Sequence, residues 1–292
     1  MRSRCKTLAG LALLAAGPAL VAGCGAKTVP IDAAAVLAAV PQKTATASTA
    51  KVTIDTAVTA KSGAAARPIH VGMNGAIDLR SNNGTFEIDA GSLGVPGFSG
   101  NITARKVGGA MYMNIDALAA SSGPDVSAIL GNKHWLKIVT SKVAPAGTAL
   151  RQDPGSFTQS LQYLRGVDKN GVKTLGKETV RGTETTHYQA DVDLALLRKQ
   201  LGTSDLTPDV KRLMEQGLNQ FSTKSFRLDV WVDSDGRMRR QHMDLPVQAG
   251  TSVSMTLDLY DFGVKVQASA PPADQVLDMS ELQALAQTHP NA

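Results

Sequence analysis

The chain has 292 residues, 43% of them apolar and 19% charged, with a formal net charge of +5. That composition is ordinary for a globular protein, and the length allows one large domain or two small ones. Only 4% of the residues are aromatic and the basic ones are dispersed, which argues against a sugar-stacking platform and against a nucleic-acid partner.

The N-terminus opens with Arg2, Arg4 and Lys6 and no acidic residue, followed by the apolar run Leu8 to Ala22. This is the basic head and short hydrophobic stretch of a secretory signal, and at about 15 residues it is too short for a permanent span. The run ends in Val21-Ala22-Gly23-Cys24, which resembles the lipobox of bacterial lipoproteins. The resemblance implies cleavage after residue 23, diacylglycerol on the Cys24 sulfur, and a chain exported and lipid-anchored on the outer face of the cell membrane. Two or three acyl chains hold stably where one is marginal. Cleavage also removes Cys5, so the mature chain keeps no thiol for a disulfide and depends on its core. It removes three of the 30 basic residues and none of the 25 acidic ones, and the net charge falls to about +2.

Residues 24–30 read as a polar tether, and 31–292 as one domain. Asp32 is placed to cap a helix over Ala33 to Val40, which Pro41 is expected to stop. From Lys51 the period changes to two: Val52, Ile54, Thr56 and Val58 face one way, Thr53, Asp55 and Ala57 the other. Further strands are predicted over Ile69 to Leu79, Thr85 to Ala90, Asn101 to Val107, Ala110 to Ile115 and His134 to Val139. Turn formers separate them at Asn82-Asn83-Gly84, Gly108-Gly109 and Gly131-Asn132-Lys133. The segment Gly91 to Gly100 places Leu93, Val95 and Phe98 among glycines, and reads either as a mobile apolar flap or as a loop packed on the core.

The middle of the chain is helical. Asp153-Pro154 can start a helix with Phe157, Leu161 and Leu164 on one face, closed by Gly166. A hairpin follows, Val172 to Val180 and Thr183 to Val192, turned by Arg181-Gly182, and then a short helix from Leu194 to Leu201. Thr207-Pro208 begins a helix whose stripe is Val210, Leu213, Met214, Gly217, Leu218 and Phe221. Alternation returns with Phe226, Leu228, Val230 and Val232, passes the turn Ser234-Asp235-Gly236 into Arg237 to Leu245, and resumes at Val253, Met255, Leu257 and Leu259. Pro271-Pro272 ends the sheet region, and Ser280 to Ala286 can form a closing helix. About ten strands with clustered helices predict an α+β fold around an antiparallel sheet, its two strand blocks being halves of one sheet.

Catalytic machinery is hard to find. The five histidines are scattered singly, with no second ligand at i+3 or i+4, so neither a metal nor a cofactor is indicated. Ser48-Thr49-Ala50-Lys51 has a Ser-x-x-Lys spacing without its companion motifs, and Gly97-Phe98-Ser99-Gly100 is not a nucleophile elbow. Asp233 and Asp235 flank a hairpin, where aspartate serves the turn. The chain reads as a non-enzyme.

Val107-Gly108-Gly109-Ala110-Met111-Tyr112, His134-Trp135-Leu136-Lys137, Glu178 to Tyr188, Val230 to Arg237 and Ala270-Pro271-Pro272 occur in this order. Together they resemble successive strands and turns of the actinobacterial LppX/LprA/LprF/LprG lipoproteins, relatives of the LolA and LolB carriers. The resemblance implies a strongly curved antiparallel sheet, a half-barrel, with helices covering its concave face. It also implies a lipid or glycolipid ligand held by burial, and an envelope transporter or other protein as a further partner. Leu213, Met214, Leu218 and Phe221 would then face Leu228, Val230, Val253, Met255 and Leu257. Helices that leave room make this a lipid cavity; helices that fill it make an ordinary core inside an envelope interaction or sensing module.

Overall fold

The computed structural model describes residues 32–60, 69–89, 91, 100–122, 130–139, 157–204, 208–247, 251–278 and 281–282. All lie in the unit Asp32–Ala292. Cys24, Leu93, Val95, Phe98, the Asp153-Pro154 start and most of the closing helix fall outside the described residues, as does the side chain of Leu213.

Helix α1 (Ala33–Ala45) starts where the Asp32 carboxylate accepts the amides of Ala34 and Ala35 at 3.0 and 3.2 Å. Pro41 does not stop it. The helix continues to Ala45 because its last turn is held from outside: Thr44 is fully buried, and its Oγ1 accepts the Met238 amide at 3.0 Å. That tertiary bond, together with the burial of Leu37 and Val40, offsets the local cost of a proline inside a helix.

The strands are β1 (Thr49–Ala60), β2 (Ile69–Asp78), β3 (Gly84–Asp89), β4 (Asn101–Val107), β5 (Ala110–Asn114), β6 (Trp135–Val139), β7 (Lys173–Val180), β8 (Thr183–Asp193), β9 (Ser225–Asp233), β10 (Met238–Pro246), β11 (Thr251–Tyr260) and β12 (Val276–Asp278). They form one open sheet in the order β12-β6-β5-β4-β3-β2-β1-β11-β10-β9-β8-β7. Each block is a meander, and antiparallel pairing of β1 with β11 joins the two into one half-barrel. The sheet has twelve strands rather than about ten. The three-residue β12 is too short to show a period, and it is placed by parallel pairing with β6.

Two tight turns use the conformations their sequences permit. Gly108-Gly109 and Arg181-Gly182 carry positive φ at both positions, which matches the twist of the hairpins they close. At the outer edge, β7 is exposed along nearly its whole length. Lys173, Lys177 and a register shift between Thr174 and Gly176 blunt it against pairing with another chain.

The helices are α1, α2 (Asp116–Ser122), α3 (Phe157–Gln162), α4 (Leu194–Gly202) and α5 (Pro208–Leu218), with a 3₁₀ turn at Tyr163–Gly166. Leu37 and Val40 of α1, Leu161 of α3, Leu197 and Leu201 of α4, and Met214 and Leu218 of α5 share one buried cluster with the apolar face of the sheet. Aromatic edges tie the layers: Tyr163 and Phe221 meet Phe226 with ring centroids 5.4 and 5.8 Å apart.

Candidate functional site

The strand registers arrange the inward side chains in rows that run across the sheet. One row is Ile88, Met73, Ile54, Leu257, Gln241, Val230 and Tyr188. A second, four residues further along β1, runs through Ile69, Val58, Val253 and Leu245, and on the neighbouring strands Phe226 pairs with Val192. The rows differ in burial. In the first, Ile54, Leu257 and Val230 are closed off under the helices, with Leu257 2% exposed. In the second, Leu245, Phe226 and Val192 are buried as well, and only Val58 and Val253, half-buried, and Ile69, 37% exposed, are open. Val71 and Met255, which lie between the rows, are half-buried too. The apolar face is therefore half open only where β1 ends and β2 and β11 begin, and it is closed along β10, β9 and β8.

Among the residues expected to line a cavity, Met214, Leu218, Phe221, Leu228, Val230 and Leu257 are buried in the shared core. Val253 and Met255 pack against its edge and stay half-buried. The half-open wall also includes Val58, Ile69 and Val71. Their alternation is visible in the sequence, but exposure of one end of an inward row carries no local signal. Methionines line this face at Met73, Met243 and Met255, side chains that adapt to varied apolar shapes.

One amide interrupts the filled row. Gln241 is fully buried between Leu257 and Val230; Ser160 Oγ donates to its Oε1 at 2.9 Å, and its Nε2 donates to the Ser160 carbonyl at 3.4 Å. This pair fixes α3 on the sheet, and its mutual bonding offsets the desolvation of both groups.

The outer face is polar and satisfied by its own neighbours. His187 stacks on Trp231 at 4.0 Å, and its ring nitrogens lie 2.9 Å from Glu178 Oε1 and from Asp229 Oδ1. Hydrogen bonds from Trp231 Nε1 and then from His187 hold the Glu178 carboxyl below its ordinary pKa. Asp258 receives Arg240 through two bonds at 2.6 and 2.8 Å and Arg181 at 2.8 Å. Burial alone would raise the Asp258 carboxyl, but these guanidinium bonds prevail and its pKa is lowered. In the β9–β10 turn, Asp233 accepts the amides of Asp235 and Arg237 and the Arg239 guanidinium. Among the described residues, no group of three or more His, Cys, Asp or Glu side chains is arranged to hold a metal ion. No helix among them is long and apolar enough to cross a membrane.

No family model matches the chain. It is similar to an uncharacterised 31.2 kDa protein of Streptomyces griseus encoded in the rplA–rplJ intergenic region, 27% identical over 216 residues, covering 72% of this chain and 66% of the relative. It is also similar to a Streptomyces coelicolor protein named as a lipoprotein, 25% identical over 215 residues, covering 66% of this chain and 64% of that one. The chain thus spans just under two thirds of the length of the curated relatives it matches. In fold it is similar to the lipoprotein LppX of Mycobacterium tuberculosis, with 12% identity, 80% of this chain and 98% of that one covered, and a TM-score of 0.44. The same holds for LprF of Mycobacterium bovis, with 12% identity, 82% and 97% covered, and a TM-score of 0.45.

Proposed function

We propose that the chain is an exported lipoprotein, anchored through Cys24, that holds a lipid or lipidated molecule against its apolar inner face and carries or presents it in the cell envelope. The observation that carries this reading is the burial gradient along the inner rows. Val58, Val71, Val253 and Met255 form an apolar wall only half covered by protein. Each acyl methylene laid on such a wall gains roughly 0.8 kcal/mol by leaving water, so a chain of modest length is retained without specific polar contacts. The Val21-Ala22-Gly23-Cys24 pattern and the lipoprotein name of the Streptomyces coelicolor relative support the anchor.

The test has two arms. Lipid extracted from the purified full chain is identified by mass spectrometry, and uptake of a fluorescent fatty acid is measured for the wild type and for Val58→Trp and Val253→Trp. A co-purifying lipid, and uptake reduced several-fold by either tryptophan, are expected. A chain that is always empty and takes up no probe is a filled-core envelope module instead. Cys24→Ala tests the anchor separately and should release the chain from the membrane fraction.

A further inference from the structure

The inward rows of β1 to β6 contain one charged side chain among the described residues. On β4 the inward positions are Ile102, Ala104 and Lys106, a lysine where the alternation calls for an apolar residue. Register sets it in a row that reads Ala50, Ile77, Gly84, Lys106, Met111 and Ile138. The other inward positions of these six strands are apolar side chains, glycines or the uncharged Thr56.

A lysine on an apolar face ordinarily stretches its stem and delivers the ammonium to water. Lys106 does not, for it is 3% exposed. Its surroundings are apolar as well. Met111, opposite it on β5, is buried, and so is Ile77 further along the row. On the other side stands Gly84, its partner on β3, and the ring of Phe86 lies down over that glycine. A β-carbon built on Gly84 would come within 2.8 Å of Phe86 Cζ, and one on Gly75 within 2.7 Å of Cδ1. A charge held out of water among such groups is stable only where oxygens of opposite charge meet it. An ammonium has three donors, so it can take a ligand's oxygens in addition to acceptors of the chain itself.

Beyond Met111 the inner face is only partly covered again. Ile138, in the same row, is half-buried, as are Met113 and the Leu136 paired with it in the next row. Ile138 lies two strand spacings from Lys106, about 10 Å. These three residues on β5 and β6 form an apolar surface separate from the wall at Val58 and Val253. A buried cation and a partly covered apolar surface within one side chain's reach of each other match the two ends of an amphiphile with an acidic head.

We propose that Lys106 holds the anionic headgroup of a bound acyl ligand while the chain lies on Met113, Leu136 and Ile138. This rests on the lipid-binding reading above and narrows it: the ligand is an acyl acid, ending in a carboxylate or a phosphate, rather than a neutral lipid. Both heads offer anionic oxygens that accept short, charge-assisted bonds. A lysine that served only the fold would leave acidic and neutral ligands equal.

Equilibrium dialysis of radiolabelled palmitate, hexadecyl phosphate and hexadecanol against the purified full chain tests this. At least one of the two acids should bind about tenfold more tightly than the alcohol, and the tighter of them identifies the headgroup. Inorganic phosphate and acetate, which have no chain, should not compete at the same concentrations. Lys106→Met and Lys106→Gln should each weaken acid binding about tenfold and leave hexadecanol within about twofold, while Lys106→Arg keeps the preference. Binding of hexadecanol confirms that a variant is folded. Equal affinity of the wild type for acids and alcohol, or a preference that survives in both Lys106→Met and Lys106→Gln, overturns this inference and leaves the lipid-binding reading standing. Failure of the wild type to bind any of the three overturns both.

Discussion

Asp258 shows how a single side chain organises the outer face. Its carboxylate is 6% exposed and takes guanidinium bonds from one strand and one turn, with Arg181 also lying 4.2 Å over the Tyr260 ring. Arg181 adopts a positive φ in that turn, an unusual conformation for a side-chain-bearing residue that its pairing holds in place. Because the folded pKa of Asp258 is lowered, its contribution is fully present above the unfolded carboxylate value and is lost as pH falls through the lower folded value. Asp258→Asn should cost about 1–2 kcal/mol near neutrality, discounted because both arginines are about a third exposed. The gap in Tm between wild type and variant should narrow as pH is taken from neutral into the acid range. A gap constant over that range would show that the ionised carboxylate contributes nothing specific.

At the scale of elements, the periodicities place each side chain on a face but not under a helix. Leu257 and Val58 both point inward from neighbouring central strands, yet one is sealed and the other is half open. Leu257→Ala leaves a cavity among close-packed neighbours and should cost about 2–5 kcal/mol. Val58→Ala removes atoms that already touch water and should cost less than about 1 kcal/mol. Urea titrations of the two variants measure the difference directly, and equal losses would mean that the open end is closed in solution. Helix α1 makes the same point. Its cap at Asp32 is a local device visible in the sequence, while its continuation past Pro41 depends on Met238, nearly two hundred residues away.

For the molecule as a whole, the decisive contact is the β1–β11 seam, which pairs Val52 with Leu259 and Ile54 with Leu257 and makes two meanders one sheet. The two tryptophans report on opposite sides of it: Trp135 sits in β6 and Trp231 in β9. With one core cluster running across the seam, both halves should unfold together. Trp135→Phe and Trp231→Phe, each leaving one reporter, should give the same denaturant midpoint; separate midpoints would show two independently folding halves.

What the sequence determined by itself is what local chemistry controls. Alternation placed the strands and their apolar sides, Asp32 the first helix start, glycine-containing pairs the hairpin turns, and the Met214, Leu218 and Phe221 stripe the face a helix buries. It also held the lipobox pattern at Cys24. The sheet seam, the three residues of β12, the persistence of α1 through Pro41 and the Gln241–Ser160 pair under α3 were decided only by tertiary structure. So was the half-open wall at Val58 and Val253. The physical reason is common to all of them. A residue's face follows from its own strand or helix period, but whether that face meets protein or water depends on segments that arrive from elsewhere in the chain.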